Sequence, residues 1–305
     1  MGNCKCSCLF DRIGELHRMK KKRYAKLALF LTAMLWGSTF AIGKIATEVF
    51  SASFVIALRF TVASIALIIV AAPLYKLLNK EYWIDGIWMG ITLFISYILQ
   101  VEGLAADTSP GESAFLCTTY CVMVPFFHWF ATKKRPRLLH ILCVFICLFG
   151  IGILSLQGGL SMSSGDILTV LSGVPCAVNI VISSIMCQRK NPLLLTTIEL
   201  GVVAVLAWIF VLFTDTFPSE FPLSTVGGIV YLGLVATALC LFLQSYGLKY
   251  AEASIGGMLL SLESVFGVVF AIVLYHETVT LRMLIGFVVI FVAIVLSQIE
   301  PQKDS

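Results

Sequence analysis

Residues 99–104 read LQVEGL and residues 243–248 read LQSYGL, so Leu-Gln-x-x-Gly-Leu is written twice, 144 residues apart, each time with a polar amide in apolar surroundings. Sliding the chain by that ungapped offset brings further pairs into register: Leu116/Leu260, Val124/Val268, Phe126/Phe270, Val144/Val288 and Ile146/Ile290. Apolar matches between two hydrophobic stretches are cheap. The Gln and Gly matches are not, because a polar side chain is costly at membrane depth. A fixed offset between long segments is the mark of an internal repeat.

The surroundings of the two copies are lipid-like. Hydrophobic residues make up 59% of the 305 and charged residues 12%, with a mean hydropathy of +0.98. Soluble domains run at about 45–50% apolar and about 25% charged. The net charge of +4 does not indicate nucleic acid, since the bases sit in short segments between apolar runs and not on one patch. A spanning helix needs roughly 20 apolar residues. By that measure ten spans are predicted, at 26–47, 52–73, 84–104, 110–131, 137–156, 165–187, 193–214, 224–247, 253–275 and 280–298.

Charge gives an expected orientation. With the N-terminus in the cytoplasm and ten alternating helices, 18 of the 21 Lys and Arg residues fall in cytoplasmic segments. Only Arg282 falls in an external loop, while Lys44 and Arg59 lie within spans near their external ends. This bias follows the positive-inside rule, and both termini are expected in the cytoplasm of a plasma-membrane protein. The repeat then makes helices three to five equivalent to helices eight to ten. Five helices per half is an odd number, so the second half must cross the bilayer upside down. At the shared offset Lys133-Lys134-Arg135 corresponds to Glu277-Thr278-Val279, basic on the expected inside and stripped of bases on the outside. The predicted fold is an all-α polytopic membrane protein of ten transmembrane helices in two inverted five-helix repeats. Its segments are a basic N-terminal stretch 1–24, a first repeat 25–156, a second repeat 165–298 and a tail 299–305. Inverted repeats recur in secondary transporters, with the substrate site near the midplane between the halves.

The stretches MLWGSTFAIGKIA (34–46), ALRFTVASIAL (57–67), DTSPGESAFLCTTYCVMVPFF (107–127) and SLESVFGVVFAIVLYHETVTLRMLIG (261–286) resemble the EamA-type branch of the drug/metabolite transporter superfamily. The resemblance implies a carrier with a central cavity that moves small organic solutes, often outward. The chain departs from the family pattern at Ser264, where a Pro usually follows the Glu of the ninth helix, and at Pro175, where an aromatic is common.

Intramembrane polar groups point to a pathway, because a charge at the bilayer centre costs about 2.5–3.5 kcal/mol and turns toward protein or a wet cavity. Glu263 falls mid-span in the ninth helix, on one face with Gly256 and Gly267. It is expected to bind a cationic or amine group, or to take up a coupled proton; a structural buried Glu is the alternative. Gln100 and Gln244 can donate and accept to a polar solute, or can join helices. Thr119, Tyr120 and Ser261 fall at equivalent depths of the fourth and ninth helices and are candidate cavity walls. Pro175 frees the carbonyl of Leu171 and is a candidate hinge, with Asn179 on the same face. Trp36 is a candidate stacking surface. Lys44 and Arg59 either snorkel to the external interface or form an external gate that attracts anionic solutes. Glu102 and Glu112 are expected to be solvated.

The ten cysteines read as small hydrophobes within the spans (Cys117/Cys121 and Cys143/Cys147 at i, i+4) and as reduced thiols at Cys4, Cys6 and Cys8. No metal or cofactor is indicated: CxCxC lacks partner ligands, and no phosphate-binding loop or catalytic constellation occurs. The stretch from Met19, MKKKRYAKLALF, is a second natural start. The expected partners are a small-molecule solute, a coupled proton or other ion, and the lipid bilayer; nothing specifies an oligomeric state. The competing classes are a polytopic membrane enzyme acting on a lipid or peptide, and a non-transporting scaffold or sensor.

Overall fold

The computed structural model describes residues 3–133, 135–155, 162–214, 217–218, 220–250 and 253–297, and not the side chains of 3–19, 214, 253–255 and 257–258. Cys4, Cys6 and Cys8 as side chains, Lys134, and the tail 299–305 therefore lie outside the described residues. Helix α1 runs over Asn3–Thr47, with Lys20–Thr47 its apolar part. It is followed by α2 (Ala52–Ala71), α3 (Lys80–Ala105), α4 (Pro110–Thr132, interrupted at Thr119) and α5 (Leu138–Ser155). The second set is α6 (Ser164–Arg189), α7 (Pro192–Thr214), α8 (Leu223–Tyr250), α9 (Ala253–Tyr275) and α10 (Leu281–Ser297). Among the described residues there is no strand, eight helices are long and apolar enough to cross a membrane, and Leu259–Tyr275 and Leu281–Ser297 are shorter apolar helices. The predicted ten-helix all-α membrane fold is what the chain forms.

Polar caps start several helices. Ser51, Asn79, Ser109 and Ser163 each accept from the backbone N–H three residues on, and Ser109 with Glu112 completes a capping box. Glu112 is thereby buried rather than solvated as expected. The α4–α5 and α9–α10 connections both turn through a left-handed residue, Lys133 (φ 60°) and His276 (φ 55°), one position apart at the repeat offset.

The packing carries the duplication. Helix α1 lies on α9 and α8, and in exchange α6 lies on α4 and α3. Helix α3 also packs on α7, and α8 on α2. The remaining large contacts, α2 with α7, α4 with α9 and α5 with α10, map onto themselves. This set of larger contacts is unchanged when each helix is exchanged for the one five places along. That is a two-fold relation between halves, and an odd helix number per half inverts it. The contacts that hold the bundle run between the halves more than within them.

The repeated Gly explains part of this closeness. A Cβ on Gly103 of α3 would lie 2.5 Å from Thr169 Oγ1 and 2.6 Å from the Gly165 carbonyl of α6. On Gly247 of α8 it would run into the Leu29 side chain of α1. Each copy of the motif thus presses a helix against the opposite half, where lipid offers no hydrophobic drive and close backbone approach supplies the contact energy. Outward faces are apolar, as at Phe145, Leu148 and Phe149 of α5.

Candidate functional site

Where α1, α3, α4, α6, α8 and α9 meet, they enclose a cavity of about 40 Å³. Its wall is formed by Trp36 and Phe40 (α1), Leu93, Ser96, Tyr97 and Gln100 (α3), Cys117 and Tyr120 (α4), Cys176, Asn179 and Ile180 (α6), Leu241 and Gln244 (α8), and Glu263 (α9). Six residues singled out in the sequence, Trp36, Gln100, Tyr120, Asn179, Gln244 and Glu263, are therefore together on one wall. Thr119 and Ser261 are not on it. Both are fully buried: the Thr119 hydroxyl donates to the Leu116 carbonyl at 2.6 Å, and the Ser261 carbonyl accepts from Ser264 at 2.8 Å. The expectation failed there because equal depth on a helix does not mean equal azimuth.

The motif's two halves divide the work. Each Gly makes the helix crossing, and each Gln, three residues earlier, is turned into the cavity. At 1.5 Å rise per residue, Gln100 lies about 8 Å from the Ala105 end of α3. Gln244 lies about 9 Å from the Tyr250 end of α8, which is the opposite end of the bundle. The Gln100 Nε2 donates to Cys117 Sγ at 3.1 Å.

Glu263 is the buried charge of the site. Its Oε2 and the Tyr120 hydroxyl are both buried with no hydrogen-bond partner among the described residues. The phenol stands close enough to act on the carboxylate without meeting hydrogen-bond geometry. Asn179 Nδ2 is engaged elsewhere, donating to the Met89 carbonyl at 2.9 Å and to Glu199 Oε1 at 2.8 Å, which leaves its amide oxygen for the cavity. Glu199 is thus joined to α6 as a helix contact. The Trp36 indole N–H donates to the Ala236 carbonyl at 2.9 Å, so only the ring is offered to the cavity.

The expected hinge and gate residues sit differently from their simplest reading. Helix α6 is continuous through Pro175, and the irregularities in spanning helices fall instead at Thr119 and at a π-helical turn over Leu234–Leu239. Neither break had a sequence signal beyond Pro125 in α4. Lys44 does not stand free at the mouth. Its Nζ donates to the carbonyls of Leu104, Ala106 and Thr108, closing the carboxyl end of α3. Arg59 does not snorkel; it is 3% exposed, with Nε donating to Thr237 Oγ1 at 2.7 Å.

A second cavity, about 630 Å³, lies between α2, α3 and α7 and faces outward. Its wall is apolar, as at Ile68, Trp83 and Val205. Its hydroxyls are turned away: Tyr75 donates to the Ile68 carbonyl and Thr197 to that of Leu193. It offers a polar solute nothing and lies where lipid tails would fill it.

The sequence model of the EamA-like transporter family matches residues 23–156 and again 163–298. An uncharacterized transporter from Archaeoglobus fulgidus is 28% identical over 90% of this chain and 86% of its own. Another, from Haemophilus influenzae, is 31% identical over 28% of this chain and 49% of its own. A solved crystal structure has the same fold, with a TM-score of 0.64 at 20% identity over 89% of this chain and 95% of that one. Two family matches, each covering one five-helix half of a polytopic bundle, leave one conclusion: the chain belongs to the EamA-like transporter family, membrane transporters of the drug/metabolite type.

Proposed function

We propose that the protein is a secondary transporter that exports small organic metabolites by alternating access around the central cavity, with the coupled proton, where one is used, carried by Glu263. The observation that carries the reading is the cavity itself. Its wall is drawn from both repeats and includes Gln100, Asn179, Gln244 and Glu263 among apolar neighbours, and Glu263 Oε2 and the Tyr120 hydroxyl are buried with no hydrogen-bond partner among the described residues. Its volume of about 40 Å³ holds a few waters at most, far below the roughly 300–1,000 Å³ of small-molecule sites. A solute enters only if the halves part, and the exchange symmetry of the packing makes parting at one end the mirror of parting at the other. In this reading Pro175, where the Leu171 carbonyl has no helical N–H partner, is the point at which the otherwise continuous α6 flexes as the halves part, and Lys44 is the tie that opens at the end of α3. The charge bias supports a cytoplasmic basic end and a plasma-membrane setting.

Metabolite profiling of cells over-expressing the protein, inside and outside, against a vector control tests this, followed by flux assays in liposomes containing the purified protein. The expected result is a solute depleted inside and enriched outside. No change in any solute, with protein present in the membrane, would sink the reading.

A further inference from the structure

The contact between α2 and α7 maps onto itself under the repeat, so its two ends are equivalent in packing. They are finished differently. At one end the gap is closed by rings. Between ring centres, Phe54 lies 5.8 Å from Trp208 and 6.0 Å from Phe217, and Phe50 lies 5.6 Å from Phe221. The Trp208 indole N–H also donates to Thr61 Oγ1 at 2.8 Å. At the basic end the equivalent gap is the outward-facing groove of about 630 Å³ between α2, α3 and α7.

The repeat offset gives the reason. Leu194, Ile198 and Val205 on the groove wall stand where Phe50, Phe54 and Thr61 stand in the closed copy. The residues that plug the closed copy, Trp208, Phe217 and Phe221, correspond to Ser64, Pro73 and Leu77. Ser64 fills little: a Cβ on Gly201 of the groove wall would meet nothing closer than Ser64 Oγ, at 3.6 Å. Pro73 and Leu77 are exposed and are not part of the wall. One half thus supplies its own filling, and the other keeps an apolar slot of the same origin.

The slot has the dimensions of a hydrocarbon chain. Its wall on α7 runs from Leu194, near the start of the helix, to Leu206. At 1.5 Å rise per residue that is about 18 Å, close to one leaflet of a hydrocarbon core about 30 Å thick. A groove one leaflet deep fits an acyl chain, whereas a spanning helix of a second copy would run on past its end. Tyr75 and the half-exposed Trp83 stand at the basic-end rim, the level at which aromatic residues gather in membrane proteins. There the charge also inverts. Lys76 corresponds at the offset to Glu220, and both are exposed. Lys80 is exposed too, and shares a face of α3 with Trp83, three residues on. Neither lysine is in an ion pair among the described residues, whereas Glu81 and Asp85 are both taken by Lys190, at 3.5 and 2.6 Å.

We propose that this groove binds one anionic phospholipid, with an acyl chain laid along α7 between α2 and α3 and the phosphate held by Lys80 and Lys76 at the rim. The chain takes the place that Trp208, Phe217 and Phe221 fill in the other copy. The lysines give the site a preference for negative headgroups that ordinary lipid contact lacks. Because α2 and α3 belong to the first half and α7 to the second, the bound lipid bridges the halves at the basic end. The site is separate from the central cavity and does not depend on what that cavity carries.

Native mass spectrometry of delipidated protein in detergent micelles tests this, with phosphatidylglycerol and phosphatidylcholine of matched acyl chains. Wild-type protein is expected to bind one phosphatidylglycerol about tenfold or more tighter than phosphatidylcholine. Lys76→Ala combined with Lys80→Ala is expected to bring the two lipids to within about twofold of each other, and Lys76→Arg with Lys80→Arg to keep the preference. Gly201→Leu, which puts a side chain into the groove without a clash, is expected to weaken phosphatidylglycerol binding about tenfold or more. Val205→Trp, a change at an exposed position of the same wall, is expected to do the same and shows that loss in Gly201→Leu is not misfolding. Equal binding of the two lipids by wild-type protein overturns the proposal. So does an unchanged preference without the lysines, undiminished binding in both groove variants, or equally tight binding of glycerol 3-phosphate, which has the phosphate without the chains. A wild-type dimer that Gly201→Leu and Val205→Trp dissociate, with lipid binding unchanged, overturns it in favour of a second copy.

Discussion

The two halves of this bundle share a skeleton and differ in charge. At the motif they match: Gln100 and Gln244 both reach the cavity, and Gly103 and Gly247 both make a crossing with the other half. At the same offset Thr119 stands opposite Glu263, and Val203 opposite Arg59. Thr119 bonds to its own helix and Val203 is fully buried in an apolar cluster, whereas Glu263 and Arg59 each keep an unpaired polar atom. The lesson is that inverted symmetry is a property of packing. The buried charges do not follow it, since neither Glu263 nor Arg59 has a charged counterpart at the repeat offset.

The comparison breaks most sharply at the glycines. Gly103 meets backbone of α6, which cannot turn aside, and Gly247 meets the flexible end of Leu29. Gly103→Val is expected to cost about 3 kcal/mol or more and Gly247→Val nearer 1 kcal/mol, read as unfolding midpoints of purified protein in lipid nanodiscs. Equal losses would mean that the two crossings are not asymmetric in rigidity.

The next effect is on flux. In the proposed role Glu263 makes a charge-assisted bond to the solute worth about 1.5–3 kcal/mol, so Glu263→Gln is expected to lower release from proteoliposomes roughly 10–100-fold. Its counterpart Thr119→Val is expected to change flux by less than about twofold, since that hydroxyl faces its own helix. Glu277 sharpens the contrast at the hairpins. Its carboxylate accepts from Ser109 Oγ at 2.7 Å and from the Gly111 N–H at 2.8 Å, tying the α9–α10 loop to the start of α4. Glu277→Ala is expected to cost about 1.5–3 kcal/mol in the nanodisc measurement, and the exposed counterpart Lys133→Ala close to zero. The smallest effect is expected at the basic end. There Lys190 meets Asp85 at 2.6 Å and Glu81 at 3.5 Å. Lys190→Ala is expected to cost about 0.5–1 kcal/mol, diminishing with added salt.

Much of this was legible in the letters. The helix number follows from hydrophobic runs interrupted by charge, because lipid leaves a segment few alternatives to an apolar helix. The inversion follows from an odd repeat. Gln100, Gln244 and Glu263 could be picked out because a polar group inside an apolar span needs a reason. Thr119 and Ser261 were misplaced because depth along a helix is readable from spacing, while the direction a side chain faces depends on how the helix is rotated against its neighbours. Arg59 was misread for the same reason. Its nearness to a helix end suggested snorkelling, and nothing local records that α8 opens a π-turn to receive it.

The sequence by itself determined the all-helical class, the doubling of the chain and the presence of a few polar groups that lipid would not tolerate. Those are local or periodic properties, set residue by residue through transfer cost and chain geometry. Only the tertiary structure decided which polar groups share a cavity, how small that cavity is, and that Arg59 Nη2 and Glu263 Oε2 are each buried with no hydrogen-bond partner among the described residues. These depend on close contacts between helices far apart in the chain, and the energy of such a contact is written in both partners at once.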